Sequence, residues 1–233
     1  MASSLGARVL VDWLESEVVR VLGDGDRLEL AYSGGLGSTL LAAIARKRCD
    51  LTCYTVGLRG SADLRAAEAA ALFLDYRVEQ IRITPSNAVA LARGLAATVP
   101  MATAPEILSL LPAWTVAART DRRPLLAGFG TAPTSSRVRD LLPNLRISSP
   151  LLRLEEGETS AVRRRLSACA DVLGIPAAFG KPRRRPPGSG SGIGPAIRQI
   201  AASRHTTIRA ILRPKTAGRS EILTHVAQTG KYK

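Results

Sequence analysis

Apolar residues recur at Leu5, Val9, Trp13, Val18 and Leu22, close to the spacing of one helical face, so an amphipathic helix is expected over residues 4–22. Gly23-Asp-Gly-Asp26 breaks it. The pattern then alternates. Short runs rich in strand formers lie at 28–32, 51–56, 77–83 and 124–127, and helical stretches at 38–48, 61–75, 86–97 and 105–120 fall between them. Beyond residue 128 a helix is expected near 159–173, then a Pro/Gly/Arg-rich stretch at 174–195. Short helical pieces follow at 193–203, 206–212 and 219–228, with Pro214 as a breaker. Strands alternating with helices predict an α/β fold, a doubly wound parallel sheet. Such sheets hold their ligands at the carboxyl ends of the strands.

The first strand-to-helix junction carries the strongest chemical signal. Residues 31–38 read Ala-Tyr-Ser-Gly-Gly-Leu-Gly-Ser and lead directly into an alanine- and leucine-rich helix. A helix N-terminus leaves backbone N–H groups without intrahelical acceptors, and the helix dipole favours negative charge there. Ser33 and Ser38 add hydroxyl donors, while Gly34, Gly35 and Gly37 remove side chains that would hold an anion off. The pattern predicts a phosphate site. It is not a Walker A loop, because Gly-Lys-Ser/Thr is missing.

Charge divides the chain unevenly. Residues 181–233 hold 12 Lys or Arg and one acid, Glu221, a net of +11, whereas residues 1–180 hold 21 basic and 18 acidic residues, a net of +3. The expected organisation is a domain at 1–180 that carries the phosphate loop and a basic, glycine-rich and helical segment at 181–233. A basic segment on a near-neutral domain points to a polyanion, whether RNA, DNA or a nucleotide phosphate; a solvated arginine-rich surface is the plain alternative. No apolar run approaches the ~20 residues of a membrane span, and the first residues lack the pattern of a signal peptide, so a cytoplasmic protein with no membrane partner is expected. Cys49, Cys53 and Cys169 with two histidines make neither a disulfide framework nor a zinc site, and no metal-ligating residues are assigned.

Four stretches together resemble the synthetase domain of the asparagine synthase family, of ATP-pyrophosphatase type. They are residues 33–38; Val56-Gly-Leu-Arg-Gly-Ser-Ala-Asp-Leu64; Pro105-Glu-Ile-Leu-Ser-Leu-Leu-Pro112 leading to Leu125-Leu-Ala-Gly-Phe-Gly130; and Ser189-Gly-Ser-Gly-Ile193 after Lys181-Pro-Arg-Arg-Arg185. The last is similar to a late basic loop of short archaeal relatives. The resemblance implies a Rossmann-like fold and ATP as the bound nucleotide, and it implies a reaction, the amidation of aspartate through an acyl-adenylate with release of pyrophosphate. By matching position, Ser33, Gly34, Gly35, Leu36, Gly37 and Ser38 would hold pyrophosphate. Val56 and Gly57 would contact adenine or ribose, and Gly128 and Gly130 would face the nucleotide. Asp63 would belong to the nucleotide site, although its place near a helix start fits capping equally. Glu106 would assist catalysis, with first-turn dipole placement as its alternative. Arg184 or Arg185 would stand near the family's late pyrophosphate-binding lysine.

Two departures weigh against the full reaction. Gly37 replaces the aspartate of the family's Ser-Gly-Gly-Leu-Asp-Ser loop, and Ala132 and Pro133 replace the acids after its Gly-x-Gly turn. Neither alanine nor proline can ligate a hard cation such as Mg2+. Ala2 stands where the family's glutaminase domain has its nucleophilic cysteine, so ammonia would come from solution or a partner subunit. Three functions remain open: an ammonia-using amide ligase, a non-catalytic nucleotide-binding or regulatory descendant, and an RNA-associated relative.

Overall fold

The computed structural model describes residues 2–120, 124–130, 136–154, 159–180 and 189–213. Arg184, Arg185, Ala132, Pro133 and the helix expected at 219–228 lie outside the described residues.

Five parallel strands form one sheet in the order β3-β2-β1-β4-β5. They are β1 (Arg27–Ala31), β2 (Asp50–Leu58), β3 (Val78–Ile83), β4 (Leu125–Ala127) and β5 (Ile147–Ser148). The first four coincide with the strands expected from the sequence. The fifth, two residues long, is too short to leave a pattern, and pairs only through Leu125 with Ile147 and Leu126 with Ser148.

Two helical layers cover the sheet, each with its own core. On one face lie α1 (Ala2–Leu22), α2 (Leu36–Ala45), α3 (Ala62–Phe73) and α7 (Thr159–Val172), whose Leu14, Val18, Leu40, Ile44, Ala67 and Leu166 bury together. On the other lie α4 (Pro85–Thr98), α5 (Ala104–Ala117) and α6 (Ser136–Leu141). With them are α9 (Ile193–Ser203) and α10 (Ile208–Leu212), around Leu95, Ile107, Leu110, Leu111 and Ile197. A short α8 (Ala177–Gly180) packs on α2 and α7. Burying each Leu or Ile contributes roughly 1.5–3 kcal/mol, so both layers are held by aliphatic packing.

This two-sided cover locates the ligand crevice. The β1–β2 and β2–β3 crossovers run through α2 and α3 on one face; the β3–β4 crossover runs through α4 and α5 on the other. The chain therefore reverses direction between β1 and β4, which are hydrogen-bonded neighbours. An open parallel sheet leaves a crevice beyond the carboxyl ends of such a pair. The glycine-serine loop follows β1, and Gly128 and Gly130 follow β4. Among the described residues no helix is long and apolar enough to cross a membrane.

Candidate functional site

Residues 33–38 form the turn from β1 into α2. Gly34 takes φ of +65°, a left-handed conformation that only glycine enters without strain. Gly35 is the N-cap, in extended conformation, and its carbonyl accepts from the Thr39 amide at 3.0 Å. Leu36, Gly37 and Ser38 make the first turn, so their amides have no carbonyl four residues earlier within the helix.

The two serines face each other across this turn. Ser38 Oγ donates to the Gly35 carbonyl at 3.0 Å and accepts from the Ser33 amide at 3.3 Å, and the two hydroxyl oxygens stand 3.4 Å apart. Ser38 is buried while Ser33 is exposed, which leaves the Ser33 hydroxyl at the mouth of the turn. Behind the loop, Tyr32 meets Tyr76 edge to face at 6.0 Å, and the Tyr76 hydroxyl donates to the Thr39 carbonyl. Burial pushes the Tyr76 phenol above its ordinary range, so this anchor stays protonated. The Thr55 hydroxyl donates to the Tyr32 carbonyl at 2.8 Å and ties the loop's entry to β2.

The loop after β4 closes on the same turn. A Cβ added to Gly128 would stand 2.4 Å from the Ser38 nitrogen and 2.8 Å from the Gly37 carbonyl carbon. Gly130, at φ +109°, has the Leu151 backbone where its side chain would be. These two glycines are thus required by close approach of protein backbone.

A second close approach lies at the end of β2. Val56 is buried in the α4–α5 core, so only its backbone is available to a ligand. A Cβ on Gly57 would meet Ser61 Oγ at 2.3 Å and the Ser191 carbonyl at 3.2 Å. The Leu58 amide donates to the Ser191 carbonyl at 2.9 Å, and the Asp63 amide donates to the Gly190 carbonyl at 3.1 Å. The Ser189-Gly-Ser-Gly turn is therefore seated over the Val56–Leu64 stretch, joining the second and fourth motifs in space. Ser61 caps α3 by accepting from the Leu64 amide, and Asp63 sits buried in the first turn, its carboxylate against Gly190.

Glu106 is buried in the first turn of α5, where its carboxylate accepts from the Thr103 amide at 2.7 Å and the Thr103 hydroxyl at 2.9 Å. Arg137, at the start of α6, stands 3.9 Å from it and donates to the Met101 carbonyl. Glu106 is thus engaged as a helix cap. The structure joins the Ser33–Ser38 turn to Gly128, and Gly57 and Asp63 to residues 189–193.

Gly37 offers no oxygen beyond its backbone, and among the described residues no three His, Cys, Asp or Glu side chains gather as a metal site.

Sequence reasoning missed the packing role of the glycines, since a glycine code is the same for ligand approach and for backbone contact. It also missed Thr55, Tyr32 and Tyr76 as supports of the loop, which carry no motif.

Among solved structures, the chain is similar to an NMN synthetase from Francisella tularensis at 14% identity. That match covers 99% of this chain and 95% of that chain, with a TM-score of 0.47. It is also similar to a predicted subunit of tRNA methyltransferase from Methanocaldococcus jannaschii DSM at 16% identity, covering 78% and 90% respectively, with a TM-score of 0.41. No curated protein matches it. Residues 24–123, which run from the entry to β1 past the end of α5 and include the glycine-serine turn, match the model of the asparagine synthase family.

Proposed function

We propose that this protein binds an adenine nucleotide, ATP or AMP, at the crevice between β1 and β4, and does so without the family's metal-dependent amidation of aspartate. The observation that carries the reading is the turn at residues 33–38: a glycine-rich helix N-terminus, at the sheet's reversal point, with two serine hydroxyls beside it. The first-turn amides and the Ser33 and Ser38 hydroxyls would receive phosphate oxygens. The backbone of Val56 and Gly57 would border adenine or ribose, and Gly128 and Gly130 would form the opposite wall. Arg184 or Arg185 would add a cation to the phosphates.

The absent acids argue against turnover. An acyl-adenylate forms only if the charge growing on the leaving pyrophosphate is neutralised. Gly37, Ala132 and Pro133 supply no carboxylate for a cation that would do this. Losing about 3 kcal/mol of transition-state stabilisation lowers a rate more than a hundredfold.

The test pairs binding with turnover. ATP and AMP, each with and without magnesium, should raise the melting temperature, and the Ser38→Ala, Gly35→Ala variant should lose that response. AMP release from ATP in the presence of magnesium, aspartate and ammonia should stay at background. Aspartate-dependent AMP would establish an amide ligase instead; no thermal response to either nucleotide would remove the binding reading.

A further inference from the structure

The α9–α10 hairpin is apolar on one side and basic on the other. Its inner side is apolar: Ile193, Ile197, Ala201, Ile211 and Leu212 are buried in the core shared with α4 and α5. Its outer side carries Arg198, Arg204, Arg209 and Arg213, all exposed, together with Gln199 and Thr206. Residues 189–213 contain no Asp or Glu. None of these four arginines makes an ion pair among the described residues. On the opposite layer, by contrast, Arg20 pairs with Glu17 at 2.7 Å, Arg48 with Glu15 at 2.5 Å and Arg153 with Glu17 at 2.9 Å.

The arginine face is also held firmly. The Leu58 amide fixes the turn before α9 through Ser191, Thr207 caps α10 by accepting from the Ala210 amide, and Arg93 Nε donates to the Ile211 carbonyl at 2.7 Å. A charged surface fixed on packed helices loses little freedom on binding. Positive charge left unneutralised on such a surface is complementary to a dense line of negative charge.

We infer that the outer face of α9 and α10 is a docking surface for the backbone of double-stranded RNA. Residues 189–213 hold no Phe, Tyr or Trp, so the face has no platform on which unpaired bases would stack. The four arginines are divided between α9 and the five-residue α10, each with its C-cap. Helix α10 is about 7.5 Å long at 1.5 Å per residue, so no single helix carries them along the major groove of DNA to read bases. The wide, shallow minor groove of A-form RNA presents phosphates and 2′-hydroxyls to a broad surface. Arginines flanked by Gln199 and Thr206 offer donors for both. This inference is independent of the nucleotide reading, because its residues are separate from the β1–β4 crevice.

The test uses the full chain and a duplex RNA of about 16 base pairs, followed by fluorescence anisotropy between about 50 and 200 mM salt. The wild-type protein should bind with a steep salt dependence. The Arg198→Ala, Arg204→Ala, Arg209→Ala variant should bind about tenfold or more weakly, with a salt slope reduced by about two to three. Its melting temperature and its response to ATP should match the wild type. The same triple change to lysine should restore most of the binding, and the single Arg209→Glu variant reports on the face should the triple alanine variant prove unstable. Equal or tighter binding of duplex DNA of the same sequence, preference for single-stranded RNA, no binding at low salt, or unchanged binding by the alanine variant would each overturn the inference.

Discussion

Gly128, just past β4, lies so close to Ser38 in the first turn of α2 that a Cβ on it would sit 2.4 Å from the Ser38 nitrogen. The obstacle is backbone on both sides, so neither partner can turn aside. We expect Gly128→Ala to cost about 3 kcal/mol or more, at the top of the range for overpacking. That corresponds to a melting temperature lower by roughly 6–12 °C for a chain of this size. Gly6→Ala provides the contrast: it lies within α1, with nothing within 4 Å of its added Cβ, and should stabilise by about 0.5–1 kcal/mol. Thermal melts of the two variants check both signs.

Asp63 and Gly190 form the second tight pair. A Cβ on Gly190 would stand 1.9 Å from Asp63 Oδ1, and here the obstacle is a side chain that substitution can remove. Gly190→Ala should destabilise by about 1–3 kcal/mol. Asp63→Ala should cost about 0.3–1 kcal/mol through the lost first-turn charge. The double variant should be more stable than the sum of the two, by a coupling of about 1 kcal/mol or more. Strict additivity in denaturant unfolding would show that the turn at 189–193 is not seated on Asp63.

Much of this arrangement was legible in the sequence. Strands β1 to β4, the helices between them and the turn at residues 33–38 follow from alternation, glycine placement and helix-start residues such as Ser61. What the sequence left open is what each glycine faces. Gly57, Gly128, Gly130 and Gly190 lack room for a side chain because protein atoms fill that space, and contacts such as those of Gly128 with Ser38 or Gly190 with Asp63, far apart along the chain, leave no periodic trace. Glu106 illustrates the same limit: an acid at the third position of a helix serves equally as cap or catalyst on paper, and only coordinates reveal the Thr103 amide bound to it. Strand β5 was invisible for a simpler reason, since two residues cannot show a period.

The cysteines set an alkaline limit on stability. Burial pushes the Cys53 thiol up to about 12 and the Cys169 thiol up to about 11. An unfolded thiol ionises near 8.5. Between that value and 11 the unfolded chain has released protons that the folded chain retains, so the unfolded state binds fewer and stability falls as pH rises. It should be flat with respect to these groups below about pH 8 and then decline by up to roughly 1.4 kcal/mol per pH unit for each thiol. Urea unfolding at a series of pH values, repeated on Cys53→Ala, Cys169→Ala, should show the decline shrink in the variant. A thiol reagent at pH 8 should modify Cys49, which is partly exposed, and reach Cys53 and Cys169 only after unfolding.

The capping role of Glu106 separates stability from binding. With its carboxylate on the Thr103 amide and hydroxyl, Glu106→Ala should lower stability by about 1 kcal/mol. Glu106→Gln keeps an acceptor in place and should recover part of it. Nucleotide-induced thermal shifts should be the same in both variants as in the wild type. A selective loss of that response, at unchanged stability, would reassign Glu106 to the nucleotide site.

The final prediction concerns the position where this chain departs most from the asparagine synthase pattern. Gly37 is buried in the first turn of α2, and a carboxylate there would sit at the positive end of the helix dipole, beside the expected phosphates. Alone, such a charge repels phosphate; with a divalent cation it bridges to it. Gly37→Asp combined with Ala132→Asp should therefore weaken ATP binding in chelator and strengthen it in magnesium, each relative to the wild type. Calorimetric titration with ATP under both conditions measures this directly. If magnesium leaves ATP affinity unchanged in the double variant, the phosphates do not lie at the turn formed by residues 33–38.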